Sequence, residues 1–458
     1  MNKPVMDQPA QSLVIEKMIY GGDGLARLTQ EPGDPRPGKA VFIPFVLEAE
    51  AVRAQITQQR PGFARARATA IEAPSRLRVE APCPYFQSCG GCHYQHTSYE
   101  NQLQIKKTIL LETLHRTAHL DWKGPVVTHP SPPWNYRNRS RLQVRAAPGE
   151  FTMGYYRPGS NEVQPVEACP ISSPAINRAI AAAWSAGRAG QMAAEVREIE
   201  FFASGDDSAI LLQVYLAADE VSEEFARAIA EILSEAVPEI AGLIFCTRRG
   251  AGDQPGFDRE YGWTSLGVAG QDHLVYKTTR AQYRVSGGAF FQVNRHLVDE
   301  LVAAALPGQG GPLALDLYAG VGLFSKILAE KFAAVIAVEN SPESFADLRH
   351  NLPPAVQGMQ STAGHFLRTF TSQQKTGKLP RPDFIVADPP RAGLGEEVAR
   401  LLGDLHAPLV SYISCDPSTL SRDLRGLLES GYRVEEIHFF DLFPQTFHIE
   451  SMVRLRRD

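Results

Sequence analysis

LALDLYAGVGLFS, residues 313–325, is an apolar strand that ends in a glycine turn and opens a helix. Gly320 and Gly322 let the backbone turn tightly and approach a ligand. The third glycine of a dinucleotide fingerprint is absent, because Ser325 stands there, and a lone GxG is weak. A tight turn in any α/β protein is the competing reading. The sequence downstream supports the ligand turn. AVIAVE (334–339) is a second apolar strand that ends on Glu339, 17 residues after Gly322, where a carboxylate can accept from ribose hydroxyls. DFIVAD (383–388) and LVSYISC (409–415) are two more strands. Helical stretches separate the four, the pattern of a doubly wound parallel sheet. RVEEIHFFDLF and SMVRLRR follow with only a short linker. No crossover helix fits between them, so they are expected to pair antiparallel at one edge. That ending describes the S-adenosylmethionine methyltransferase sheet better than a dehydrogenase.

Two of these strands end on reactive groups. Asp388 begins DPPR (388–391) at the carboxyl edge of the sheet, where ligands bind in open α/β folds. Cys415 precedes Asp416 and Pro417, which fit the N-cap and N1 positions of the helix STLSRDLRGLLE, closed by Gly431. A cysteine just before a helix N-terminus is expected to favour its thiolate, with Asp416 opposing. A buried core cysteine is the competing reading, weakened by the shared edge with a glycine turn and an acidic loop. Cys246, in GLIFCTRRG, reads as core.

The rest of the chain bounds the function. It has 458 residues, about three domains at ~150 residues each. Lys plus Arg is 46 against 51 Asp plus Glu, a net charge of −5, which excludes a globally basic nucleic-acid coat but not a local basic groove. No apolar run approaches the ~18 residues of a membrane span, and residues 1–18 carry no apolar signal core. A soluble, cytoplasmic protein, expected to be a monomer with no membrane partner, is the reading. Residues 12–73 hold strand-like runs (LVIEKMI, KAVFIPFV, AVRAQITQ, FARARATAIE) broken by GGDG, EPGDPRPG and RPG, which suggests a small barrel of the oligonucleotide-binding type. Between Arg53 and Arg78 lie six arginines against one acid, Glu72, and YRNRSRLQVR alternates Arg137, Arg139, Arg141 and Arg145 on one strand face. Either set is an RNA contact or a solvated face. TSYENQLQIKKTILLETLHR (97–116) reads as a helix capped by Thr97 or Ser98. Three cysteines fall in CPYFQSCGGC: Cys83, Cys89 and Cys92. Cys169, followed by Pro170, lies 77 residues beyond Cys92 in sequence. Four thiolates suit zinc or iron–sulfur, and the spacing alone leaves both open.

DLYAGVGLFS, DPPRAGL, SCDPSTLSRDL and PQTFHIES, in that order, with FFQVN (290–294) before them, resemble the RNA (uracil-5-)-methyltransferases. Residues 12–73 resemble a TRAM domain, and CPYFQSCGGC with Cys169 resembles the family's iron–sulfur motif. The resemblance implies three domains: a TRAM-like OB-type barrel (1–75), a central α+β domain carrying the iron–sulfur cysteines (76–290), and a class I, Rossmann-like S-adenosylmethionine methyltransferase domain (291–458). It implies a nucleophile at Cys415, a base at Glu450, a uracil contact at Asp388, and cofactor contacts at Gln292, Tyr318, Gly320, Gly322, Glu339 and Asp388. It also implies a [4Fe–4S] cluster on Cys83, Cys89, Cys92 and Cys169. The family pattern often has Asn where this chain has Leu323, and FVLEAEAV lacks the Pro-Gly common at that barrel turn. A barrel plus a cluster is more like the 23S ribosomal RNA enzymes than the shorter tRNA enzymes. A tRNA enzyme, a cytosine carbon-5 enzyme and an iron–sulfur RNA-binding protein with a vestigial catalytic domain are the alternatives. His448, two residues before Glu450, is a structural histidine or an assistant in proton transfer.

Overall fold

A computed structural model describes residues 9–28, 38–147, 149–248 and 263–457. The chain forms two compact units. Met1–Glu112 with Phe443–Ile449 make one, and Thr113–Leu442 with Glu450–Asp458 make the other. The first division therefore falls inside the helix Tyr99–Ala118, where the sequence reading put a boundary at 75.

In the first unit, six strands run in the order Gln11–Val14, Ala51–Gln59, Phe63–Ala73, Ala40–Pro44, Asp23–Arg27, Lys17–Met18. The two outermost strands are one run of chain separated by two residues, so the sheet closes on itself as a barrel. Alternating buried residues fill it, among them Leu13, Val41, Ile43, Val52, Ala54 and Ile56. The expected turn EPGDPRPG lies, but for Gly38, outside the described residues, as do residues 1–8 of the N-terminal stretch read as lacking a signal core. Three of the six arginines are in ion pairs: Arg53 with Glu72, Arg65 with Asp23, and Arg78 with the buried Glu50. Arg60, Arg67 and Arg76 are exposed. Ser98 caps the helix through Asn101 N at 3.3 Å. The segment Phe443–Ile449 is held by Gln445, which exchanges two 2.9 Å hydrogen bonds with Gln102 and accepts from His93 N and Tyr94 N.

The second unit holds two large sheets. One has seven strands from Val163–Pro165 to Trp263–Gly270, with the helices Pro174–Arg188 and Glu223–Ala236 packed on one face. On its strand Arg139–Ala147, Arg139 and Arg141 both pair with the buried Glu200, at 3.1 and 2.5 Å. Arg139 also lies 4.1 Å over the Phe202 ring. Two of the four arginines expected to project are thus engaged within the sheet, because a buried carboxylate needs cations beside it.

The other sheet has eight strands in the order Val356–Gln360, Phe332–Glu339, Gly311–Leu317, Phe384–Ala387, Leu409–Ser414, Glu450–Arg456, Arg433–Phe440, Val126–His129. The first five are parallel and Glu450–Arg456 is antiparallel to its neighbours, a Rossmann-like class I methyltransferase sheet. The last two strands of the chain do pair antiparallel, but they are not the edge. Val126–His129 adds beyond them, parallel to Arg433–Phe440. Among the described residues no helix is long and apolar enough to cross a membrane.

Candidate active site

The carboxyl ends of the parallel strands gather the expected residues. After Gly311–Leu317 the backbone enters the left-handed region at Tyr318 (φ 64°), Gly320 (φ 55°) and Gly322 (φ 94°). A Cβ on Gly322 would come within 2.9 Å of Leu348 Cδ1, so conformation and space both require glycine there. Glu339 closes this turn: Oε2 accepts from Gly320 N at 2.9 Å and Oε1 from Ser341 N at 2.6 Å. The carboxylate keeps lone-pair capacity for a ribose hydroxyl. Burial raises the Glu339 carboxyl above its ordinary value. Beneath the turn, Asp316 Oδ2 accepts from Ser325 Oγ at 2.5 Å, while Oδ1 is buried without a hydrogen-bond partner. Burial pushes this carboxyl up to about 7, with the charges of Asp388 and Glu339 adding to the rise. Leu323 is buried and its carbonyl accepts from Tyr283 Oη at 3.1 Å; the position serves packing. Two glycines without Cβ atoms, a carboxylate on the turn and an orphaned buried acceptor form a cradle suited to S-adenosylmethionine.

The residues expected to react sit at the ends of the next three strands. Asp388 follows Phe384–Ala387, and its Oδ2 accepts from Gln292 Nε2 at 3.2 Å. Burial pushes the Asp388 carboxyl up to about 7. Cys415 follows Leu409–Ser414, and Glu450 begins the antiparallel neighbour. Ser414 pairs with Ser451 in that ladder, so the next step of the register sets Cys415 opposite Glu450. Glu450 is buried, and burial and the Asp388 charge hold its carboxyl well above the usual range, with Arg391 opposing.

The expected thiolate at Cys415 requires correction for the free site. The helix Pro417–Glu429 is capped by Asp416, whose carboxylate accepts from Ser418 N at 2.8 Å and Thr419 N at 3.1 Å. Its first amides are therefore engaged by Asp416. Burial, then the carboxylates of Glu450 and Asp388, push the thiol well above its ordinary value; Arg391 pulls the other way.

His448 lies in the first unit, its ring against Phe443 and Phe447. Cys83, Cys89 and Cys92 share one segment of turns, with Phe86 N donating to Cys83 O and Cys89 N to Tyr85 O. Cys169 belongs to the second unit, where its amide donates to Asn177 Oδ1 at 2.8 Å. Among the described residues no group of three or more His, Cys, Asp or Glu side chains is placed to hold a metal. The four cysteines have the donor chemistry of a cluster. The contacts that sequence reasoning missed are those of Thr419, Arg422 and Asp423, polar residues inside SCDPSTLSRDL. The buried acid among leucines at 420 and 424 was their one signal.

The profile of the tRNA (uracil-5-)-methyltransferase family matches residues 98–458. An uncharacterized RNA methyltransferase of Aquifex aeolicus is 30% identical, over 98% of this chain and 99% of its own length. A 23S rRNA (uracil(1939)-C(5))-methyltransferase of Shewanella sp. (strain MR-7) is 30% identical, over 96% and 94%. The crystal structure of the tRNA (uracil-54, C5)-methyltransferase of Pyrococcus abyssi, in complex with S-adenosyl-L-homocysteine, superposes with a TM-score of 0.72 at 19% identity. It covers 97% of this chain and 99% of its own.

Proposed function

The chain belongs to the tRNA (uracil-5-)-methyltransferase family, and we propose that its substrate is 23S ribosomal RNA, methylated at one uridine through a covalent adduct on Cys415. It is an S-adenosylmethionine-dependent enzyme acting on RNA. The observation that carries the mechanism is the register that sets Cys415 opposite Glu450, with the Asp388–Gln292 pair on the neighbouring strand end.

Carbon 5 of uracil is a poor nucleophile. Addition of the Cys415 sulfur at carbon 6 turns the ring into an enolate whose carbon 5 accepts a methyl group. The thiol proton leaves as the carbon–sulfur bond forms; Asp388, held at about 7, takes it and keeps Glu450 for the later step. Glu450 then removes the hydrogen from carbon 5 and the sulfur is expelled. S-adenosylmethionine, when bound, supplies the methyl as an electrophilic sulfonium; Gln292, Tyr318, Gly320, Gly322, Glu339 and Asp388 are the residues proposed to hold it. The target base must be unstacked to enter such a site.

The barrel is proposed as the TRAM-like module, with Arg60, Arg67 and Arg76 toward RNA, and the chain as a cytoplasmic monomer. A [4Fe–4S] cluster on Cys83, Cys89, Cys92 and Cys169 rests on the donor set, the Cys169–Pro170 pair and the family resemblance. No step of the reaction runs through it. Anaerobically purified protein should carry about four irons per chain; stoichiometric zinc without iron would overturn the assignment.

A tRNA substrate is the second reading, favoured by the whole-chain fold likeness to the archaeal enzyme. The test is labelled methyl transfer to 23S ribosomal RNA and to tRNA transcripts, with nucleoside analysis of the product. 5-Methyluridine in ribosomal RNA alone is expected. Label only in tRNA selects the second reading, 5-methylcytidine rejects uracil as the base, and no label in any RNA means a vestigial site.

A further inference from the structure

The segment after Asp388 is tied to the helix after Cys415 by three consecutive hydrogen bonds. Thr419 Oγ1 donates to Arg391 O at 3.2 Å, Arg422 Nη2 to Ala392 O at 2.7 Å, and Leu394 N to Asp423 Oδ2 at 2.7 Å. Asp423 is buried, and the same Oδ2 accepts from Tyr412 Oη at 2.7 Å, on the strand that ends beside Cys415. Its Oδ1 accepts from Arg422 Nε at 2.9 Å. Gly393 sits in the middle with φ +74°, and a Cβ there would lie 2.4 Å from Asp423 Oδ2, 2.9 Å from Arg422 Nη2 and 3.0 Å from Thr419 Cβ. The absent side chain of Gly393 is what lets the three residues close on the loop.

We infer that Thr419, Arg422 and Asp423 are positioning residues: they lock the 391–394 segment to the Cys415 helix, so that Asp388 and Arg391 hold their places against the sulfur during addition to uracil. This rests on the reading of Cys415 as the nucleophile. Asp388 heads the braced segment, and Arg391, whose carbonyl Thr419 grips, is the one cation among the charges felt most by the thiol. Both are hinged on two prolines, Pro389 and Pro390, so a shift at 391–394 is passed to them as a rigid displacement. Tyr318, Gly320 and Glu339 lie on other strands, and of these Tyr318 feels the Asp423 charge.

The test is Asp423→Asn in the full chain, read in three ways. A misplacement of about 1 Å costs on the order of 10²-fold in rate, so kcat should fall by about that factor. The Kd for S-adenosylmethionine, measured by calorimetry, should rise by much less than kcat falls, because Asp388 is one of six proposed cofactor contacts and the other five lie outside the braced segment. Adduct formation with 5-fluorouridine-substituted RNA, which cannot lose its carbon-5 substituent, should slow by the same factor as kcat. A merely structural role would lower cofactor affinity and melting temperature together. If Asp423→Asn does not fold, Thr419→Val and Arg422→Lys, at partly exposed positions, are read the same way, each with a smaller loss. Wild-type kcat in a folded Asp423→Asn, or in both substitutes, overturns the inference. Wild-type protein runs in parallel: if it forms no adduct, the nucleophile reading fails instead.

Discussion

Replacing Glu450 with Gln keeps the shape of the residue and removes its basicity, and the structure says at which step the reaction should stop. Glu450 lies opposite Cys415 in the register and is 6% exposed, so bulk water has little access to take its place. A general base contributes about 10²–10⁴ in rate, and burial argues for the upper part of that range. From a turnover on the order of 10 s⁻¹, loss of that factor leaves elimination at roughly 10⁻³–10⁻¹ s⁻¹. The adduct then lives for about ten seconds to about twenty minutes. A reaction with labelled cofactor and RNA, quenched into denaturant after half a minute (about 30 s, inside that window), should show protein joined to methylated RNA. Cys415→Ala should show none, because no bond to uracil forms. Low pH should not reproduce this state in the wild type. Burial raises the carboxyls of both Asp388 and Glu450, so lowering the pH protonates the group that takes the thiol proton as well as the later base; addition and elimination then slow together, and raising the pH relieves both. Unchanged turnover by Glu450→Gln refutes the assignment of the base.

Asp316→Asn should stabilise the protein at alkaline pH and not at acid pH. The buried carboxyl has a pKa of about 7 against an ordinary 3.8, so between those values the unfolded chain ionises while the fold keeps the proton. Stability is lost as pH rises through that window, up to about 4 kcal/mol, and the neutral amide escapes the loss. Melting curves at pH 4 and pH 8.5, values chosen roughly to bracket that window, should be alike for the two proteins at the former and higher for the variant at the latter. Arg139→Gln should destabilise by a few kcal/mol, since it weakens the pairing of the buried Glu200, whereas Arg145→Gln should leave denaturant midpoints unchanged. Replacing exposed Arg60, Arg67 and Arg76 with Gln should flatten the salt dependence of RNA binding by about 0.7 per lost phosphate contact; an unchanged slope makes them a solvated face. Gly322→Ala should weaken cofactor binding, because φ is +94° and the Cβ meets Leu348.

Four of the five parallel strands were legible because each is a short apolar run bounded by a turn signal, and the strand ends then delivered Glu339, Asp388 and Cys415 to one edge without any tertiary information; the fifth, Val356–Gln360, has two glutamines and a glycine in five residues and no such run. Asp416 and Pro417 were legible as a cap because capping is local. Two further features were not, for a shared reason. Val126–His129 is four residues long, too few for a period, and it joins a partner more than 300 residues away in sequence. The brace likewise depends on Asp423 meeting Leu394 across two different turns. The ionisation of Cys415 failed differently. The sequence shows a sulfur beside a helix N-terminus, and that argument assumes free amides and solvent. The fold supplies an Asp416 cap on those amides, two carboxylates and burial. The helix effect is worth about 0.3–1 kcal/mol, and desolvation by burial can exceed it several-fold, so burial sets the sign.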